Sequence, residues 1–278
     1  MKIINYIIKK ILFITPSCFK KYMRIIMLHH LNLEGPKNYG CPVCKSKISD
    51  FLLLHDYHMK SYDKYGYIYP LYYWETFNYL KSRCPQCDAS DRDRLYALFI
   101  LKKFAGIDTA QKYKFLDFAP SPALSKMISS FDFVEYRSAD LMMEHVDDRV
   151  DITNMNIYSD NSFHFLLCSH VLEHVENDTT AMKELYRILK PGGWGIIMAP
   201  ILTTLEKSHE DPAIVSEADR WKYYGQHDHV RMYARGDFVS RLSAAGFNVH
   251  LHDVYYFSEE VFEYNCIHRN SVLYVVEK

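Results

Sequence analysis

From Lys114 onward, continuous apolar runs alternate with stretches in which apolar residues recur every three to four positions. KFLDF (114–118), EYRSADL (135–141), FHFLLCS (163–169) and WGIIMAPI (194–201) read as strands. The helical stretch DTTAMKELYRILK falls between the last two and ends on Pro191-Gly192-Gly193. This rhythm predicts an α/β fold with a doubly wound, mostly parallel sheet, whose ligand sites lie beyond the carboxyl ends of its strands. The chain closes with a helix, GDFVSRLSAAGF, and two segments read as strands, NVHLHDVYYF and NSVLYVVEK. The short connection between those two predicts an antiparallel pair at the sheet edge. Upstream, SDRDRLYALFILKKF (90–104) has Ser90 as an N-cap, acids in its first turn and helical apolar spacing.

The first 35 residues have a different pattern. At a helical turn of roughly 100° per residue, Ile4, Ile7, Ile8, Ile11 and Ile14 share one side and Lys2, Lys9 and Lys10 the other. Thr15-Pro16 then reads as a helix start, with Phe19, Met23, Ile26 and Met27 on one apolar face. The longest uncharged runs, Ile3 to Ile8 and Ile11 to Phe19, are too short to span a bilayer, and no small-residue cleavage pattern follows them. The expectation is a cytoplasmic protein that is neither secreted nor transmembrane. Its basic helices pack on the body or make peripheral contact with the inner face of the membrane through residues 1–31.

Charge sharpens this contrast. Residues 1–47 carry nine Lys or Arg against one acid, Glu34, although the whole chain has 33 basic and 34 acidic residues. The front is therefore drawn to anionic surfaces, whereas the acidic body offers polyanions no general attraction. With 278 residues and 49% hydrophobic content, the chain can bury a core and carry an appended module.

Four of the seven cysteines form two matching knuckles, CPVC (Cys41, Cys44) and CPQC (Cys84, Cys87). Paired thiolates on tight turns suit tetrahedral zinc, and four of them would close the coordination shell around a structural ion. Disulfides or a redox pair are the other readings; the absence of a secretory pattern favours a reducing compartment and zinc. The Tyr-rich stretch between the knuckles is expected to give strands or packing surface to that module. The resulting organisation is a basic helical segment (1–35), a zinc-ribbon-like module (36–89), a linking helix (90–110) and an α/β domain (111–278).

Residues 163–200, with V-L-E-H-V followed by R-I-L-K-P-G-G, resemble the second half of a class I S-adenosylmethionine-dependent methyltransferase of the methyltransferase-11 type. The resemblance covers roughly residues 111–278 and implies a Rossmann-like methyltransferase sheet. The knuckles, a C-P-x-C-x-x-x-x-R-x-R helix start and a late Y-G-Q-H-D-H-V-R-M-Y are similar to a bacterial subfamily. The family's first motif, an acid followed by three alternating glycines, falls on Asp117, Ala119, Ser121 and Ala123, with Pro120 and Pro122 between. Small side chains are retained, but the left-handed freedom of glycine is not, and the prolines predict a stiffened loop.

The resemblance further implies that Asp140, with Leu141, meets the ribose hydroxyls, and that Asp151, with Ile152, lies near the adenine. Ser169 and His170, beside Cys168, would sit beneath the methionine part. Phe163-His164 departs from the family's Phe-Asp.

Transfer from a sulfonium needs alignment and, for a hydroxyl acceptor, removal of a proton. Histidine suits that step. His170, His227 and His229 are the catalytic candidates, with His174 as a structural one. Glu210, Asp211, His227, His229, Arg231 and Tyr233 form the expected acceptor site, and His209, Glu210, His227 and His229 an alternative second metal site. The function expected is O-methylation of a small-molecule or glycan acceptor with S-adenosylmethionine as cofactor and zinc as structural metal. RNA methylation and a non-catalytic scaffold are the competing readings, and the acidic body disfavours nucleic acid.

Overall fold

The computed structural model describes residues 36–278; the two basic amphipathic helices expected before residue 36 lie outside the described residues. Seven strands form one sheet in the order β5-β4-β3-β6-β7-β9-β8. They are β3 (Tyr113–Phe118), β4 (Val134–Asp140), β5 (Asp148–Arg149), β6 (Phe163–Ser169), β7 (Leu189–Met198), β8 (Asn248–His252) and β9 (Leu273–Glu277). The first five run parallel; β9 is antiparallel to both β7 and β8. The central strands β3 and β6 are almost wholly buried, which is why their sequences are unbroken apolar runs rather than alternating ones.

Helices follow most strands: α2 (Asp91–Phe104) precedes β3, α3 (Pro122–Ser129) joins β3 to β4, and α4 (Asp178–Ile188) joins β6 to β7. Ser90 caps α2 as expected: its side chain accepts from the Asp93 amide, and Asp93 accepts in return from the Ser90 amide at 2.8 Å. The buried face of α2 brings Phe99 against Trp194 of β7, with ring centres 5.2 Å apart. Helix α4 stops at Ile188 and β7 starts at once, so Pro191-Gly192-Gly193 lies within the strand's span instead of preceding it. Gly193 is required there, since a Cβ would come 2.7 Å from the His164 carbonyl oxygen.

In the closing segment β8 and β9 form the expected antiparallel pair at the sheet edge, with β9 between β7 and β8, but their connection is long and not the short one expected. It contains α7 (Val254–Phe257) and α8 (Glu259–Tyr264), because Asp253 and Ser258 cap helices and interrupt the apolar run DVYYF. The edge strand is β8, after α6 (Arg235–Ala244).

The cysteine knuckles sit on a small antiparallel pair, β1 (Tyr39–Gly40) and β2 (Lys47–Ile48), and on the turn before α2. The Tyr-rich stretch gives neither strands nor packing surface to that module. It forms α1 (Asp56–Tyr65) and a 3-10 turn at Leu71–Tyr73, and packs its rings around Trp221 of α5 (Glu217–Tyr224). The single helical period, with Tyr57, His58, Tyr62 and Tyr65 on one side, explains this. Among the described residues no helix is long and apolar enough to cross a membrane.

Candidate active site

The carboxyl ends of β3, β4, β5 and β6 converge on two adjoining cavities. One, of about 260 Å³, is lined by Asp117, Ala119, Ser121, Ser169, His170 and the N-terminal turn of α2. The other, of about 390 Å³, is lined by Asp140, Leu141, Asp151, Ile152 and the 170–175 turn. Phe118, Ala119 and His170 belong to both, so they form the waist. The structure therefore brings together all nine residues expected around a cofactor.

The loop after β3 is built differently from the expectation. Ala119 adopts φ +49°, the left-handed conformation that glycine normally supplies, and its amide continues the ladder by donating to the Ala139 carbonyl at 3.0 Å. The prolines do not prevent this, because Pro122 is at the first turn of α3, where its fixed φ fits. His170, at the equivalent end of β6, has φ +57°, and its amide donates to the Met198 carbonyl. Two non-glycine residues in strained geometry at the same waist mark a site held by its surroundings.

The three acids differ in state. Asp117 is buried; burial pushes its carboxyl up to about 7, against hydrogen bonds from Tyr136 at 2.8 Å and Ser125 at 3.3 Å. Asp140 uses Oδ1 to accept from the Met142 and Met143 amides, which leaves Oδ2 uncommitted at the end of β4. Asp151 is exposed and its Oδ1 accepts from the amide and hydroxyl of Thr153. This donor set, one acid at each of three neighbouring strand ends, fits a ligand with a diol and a basic or amino group at opposite ends of two joined cavities.

Helix α2 contributes residues that sequence reasoning missed. Arg92 and Tyr96 line the smaller cavity, and Tyr96 shares a 2.8 Å hydrogen bond with Ser169. Asp93 also accepts from the Ser121 hydroxyl at 3.0 Å and so ties the helix start to the loop. The R-x-R pair after the second knuckle was the available signal.

A third cavity, of about 190 Å³, adjoins at Arg92 and His170 and is walled by His58, Tyr62, Trp74 and Phe77 on one side. Glu173, His174 and His229 form its other side. Glu173 is fully buried, and the His170 Nδ1 lies 3.1 Å away but out of line for a hydrogen bond, so neither carboxylate oxygen has a hydrogen-bond partner. Burial alone would raise Glu173; the imidazoles of His170, His229 and His174 outweigh it and bring the carboxyl down to about 2. Burial pushes His170 and His229 down to about 4 each. At neutral pH Glu173 is a carboxylate with the neutral imidazoles of His170 and His229 beside it.

Several expected acceptor residues lie elsewhere. His227 is exposed and leans on Trp221, outside all three cavities. Arg231 is buried and donates to the Leu172 and Glu176 carbonyls and to Glu210, while Tyr233 donates to Asp178 at 2.6 Å. Glu210 is further held by Arg241. Glu210, Arg231 and Tyr233 therefore brace the 172–178 turn, and Asp211 caps its own exposed loop through Ala213. The alternative metal set also comes apart: His209 contacts Tyr69 at 3.2 Å, Glu210 is salt-bridged, and only His229 faces a cavity.

The four knuckle sulfurs lie within 4.8 Å of one another, with Cys41–Cys87 at 3.8 Å and Cys44–Cys84 at 3.9 Å. Lys45 and Asp88, each just after the second cysteine of its pair, have φ +59° and +62°, the sharp turns that aim both thiols inward.

The family model described as a methyltransferase domain matches residues 91–252. The chain belongs to this family and is a class I S-adenosylmethionine-dependent methyltransferase, in agreement with its seven-stranded sheet. The match begins at the first residue of α2, so it includes the helix that carries Arg92. Similar solved structures include a SAM-dependent methyltransferase from Archaeoglobus fulgidus, at 12% identity and TM-score 0.43, covering 69% of this chain and 96% of that one. A putative methyltransferase from Bacillus halodurans is similar at 18% identity and TM-score 0.37, covering 64% and 93%. The 1,6-didemethyltoxoflavin-N1-methyltransferase of Burkholderia thailandensis, solved with S-adenosylhomocysteine, is similar at 12% identity and TM-score 0.42, covering 65% and 76%. No curated protein matches the chain.

Proposed function

We propose that this methyltransferase acts on an oxygen of a small molecule or of a terminal sugar on a glycan. The observation that carries the reading is the third cavity: at about 190 Å³ it has room for a single ring or a short polar chain, and among the described residues Arg92 is its one Lys or Arg. A nucleic-acid backbone would call for several cations along an open groove. S-adenosylmethionine, when bound, supplies a methyl group on a sulfonium whose thioether is the leaving group.

The residues at hand supply the remainder. Asp140 Oδ2 suits the ribose diol, Asp151 the adenine end, and Arg92 at the start of α2 the methionine carboxylate. The waist at Ala119 and His170 orients the donor toward the third cavity. Burial keeps His170 neutral, so it can accept a proton from an acceptor hydroxyl. His170 stands between donor and acceptor cavities and is the preferred base; His227, being exposed and remote, is set aside.

The knuckles suit structural zinc. Four thiolates at a Zn–S distance of about 2.3 Å require S–S separations of about 3.8 Å in a tetrahedron, and the Cys41–Cys87 and Cys44–Cys84 pairs lie at 3.8 and 3.9 Å. The basic residues 1–31 would then bring the enzyme to an anionic membrane carrying a lipid-linked acceptor, on the cytoplasmic side.

The test is transfer of isotopically labelled methyl to a panel of phenols, sugars, carboxylic acids, amines and RNA. Labelled methyl ethers or esters are expected; label found only on RNA or on nitrogen contradicts the reading.

A further inference from the structure

The acceptor side of the site contains a cluster whose geometry has no internal explanation. One ligand atom each from Glu173, His174 and His229 lies within 4.8 Å of the other two. Glu173 is wholly buried and both its oxygens lack hydrogen-bond partners. A buried carboxylate without donors is costly unless a cation meets it.

His170 Nδ1 lies 3.1 Å from Oε1 without hydrogen-bond geometry, and the other two histidines, His229 and His174, are turned the wrong way to be donors. His229 Nδ1 lies 3.0 Å from the Tyr224 carbonyl, so Nδ1 carries the proton and Nε2 presents a lone pair to Glu173 Oε1 at 3.9 Å. His174 Nδ1 faces the carboxylate of Asp228 at 3.2 Å, which leaves Nε2 as its lone-pair nitrogen. Imidazoles whose far nitrogen is held by a carbonyl or a carboxylate are the outer-shell arrangement of metal-binding histidines. The Val230 amide donates to the Glu173 carbonyl at 2.9 Å, and Arg231 clamps the same turn, so the chain spends a buried guanidinium on holding His229 against Glu173.

We propose that Glu173, His174 and His229 bind a divalent first-row transition ion, distinct from any ion at the cysteine knuckles. Two imidazoles and one carboxylate suit borderline ions such as Zn²⁺, Co²⁺ or Fe²⁺ better than Mg²⁺ or Ca²⁺. Three protein ligands leave open positions, and these face the third cavity. A hydroxyl bound there would give its proton to His170 more readily, and its oxygen would be fixed for in-line attack on the methyl carbon, forming the O–C bond as the C–S bond breaks and the thioether leaves. That role, though not the site itself, rests on reading the third cavity as the acceptor pocket.

The test loads the full-length protein with zinc at the knuckles, adds Co²⁺, and removes excess by gel filtration. One Co²⁺ per chain is expected, showing ligand-field bands without thiolate-to-metal charge transfer. Glu173→Gln and His229→Gln should each abolish that signal while their knuckle zinc is retained. Wild-type protein that keeps no Co²⁺ overturns the proposal. Cobalt held only with thiolate bands, or held undiminished by both variants, also overturns it. Calorimetric binding of S-adenosylmethionine in the same samples reports the cofactor site separately, so loss of the metal reading and loss of the methyltransferase reading are told apart.

Discussion

Ala119 and Asp117 show what a residue's own chemistry reveals and what it hides. Asp117, Asp140 and Asp151 were legible because each ends a recognisable strand. The left-handed backbone at Ala119 was not, since alanine gives no local signal for φ +49° and is held there by its bond to Ala139. Ala119→Gly should therefore raise stability by about 1 kcal/mol, read from denaturant unfolding, by removing left-handed strain. Asp117 carries a pH signature. Its carboxyl titrates near 3.8 when exposed and near 7 in the fold, so the folded state holds the proton more tightly. Its contribution is fully present below about pH 4, is lost as the pH rises toward 7, and is level above that. Asp117→Asn should flatten the fall in stability between pH 4 and 7; an unchanged slope would show that another group is responsible. His229 was legible as a candidate only because of its neighbours in the sequence, and its partner Glu173 was passed over as part of a motif.

At the scale of elements, strands and helices with a strong period were readable, and α2 with its cap most of all. The connection between β8 and β9 was not, because DVYYF looks like continued strand until Asp253 caps a new helix. The aromatic stretch was misassigned for a related reason: tyrosines favour strands in general, but here a helical repeat places four rings on Trp221. Helix α2 links both halves of the account, since Ser90 sets its start and Arg92 faces the cavities. Ser90→Ala removes the cap on the Asp93 amide and should cost about 1 kcal/mol in thermal or denaturant unfolding. Cofactor affinity should fall with it, because Asp93 also anchors Ser121.

For the whole molecule, Arg94 joins the knuckle region to the turn after α8. It is fully buried, lies 3.9 Å over the ring of Phe51, and donates to the carbonyls of Lys81, Ser82, Ala89, Asn265 and Cys266. Arg94→Ala strands those carbonyls and should destabilise the fold by about 3 kcal/mol or more. Chelating the zinc proposed at the knuckles should act through the same residue, lowering Tm by roughly 5 °C or more and weakening cofactor binding. No local pattern marks a buried arginine shared by two modules, so this coupling was invisible in the sequence. The proposed function requires the glycine-free loop after β3 to frame a working cofactor site. Calorimetric titration of zinc-replete protein with S-adenosylmethionine, beside Asp140→Asn, tests this, because asparagine keeps the cap on Met142 and Met143 but loses the charge offered to the diol. One micromolar site is expected in the wild type, weakened about tenfold or more in the variant; a folded wild type that binds neither S-adenosylmethionine nor its demethylated product would rule it out.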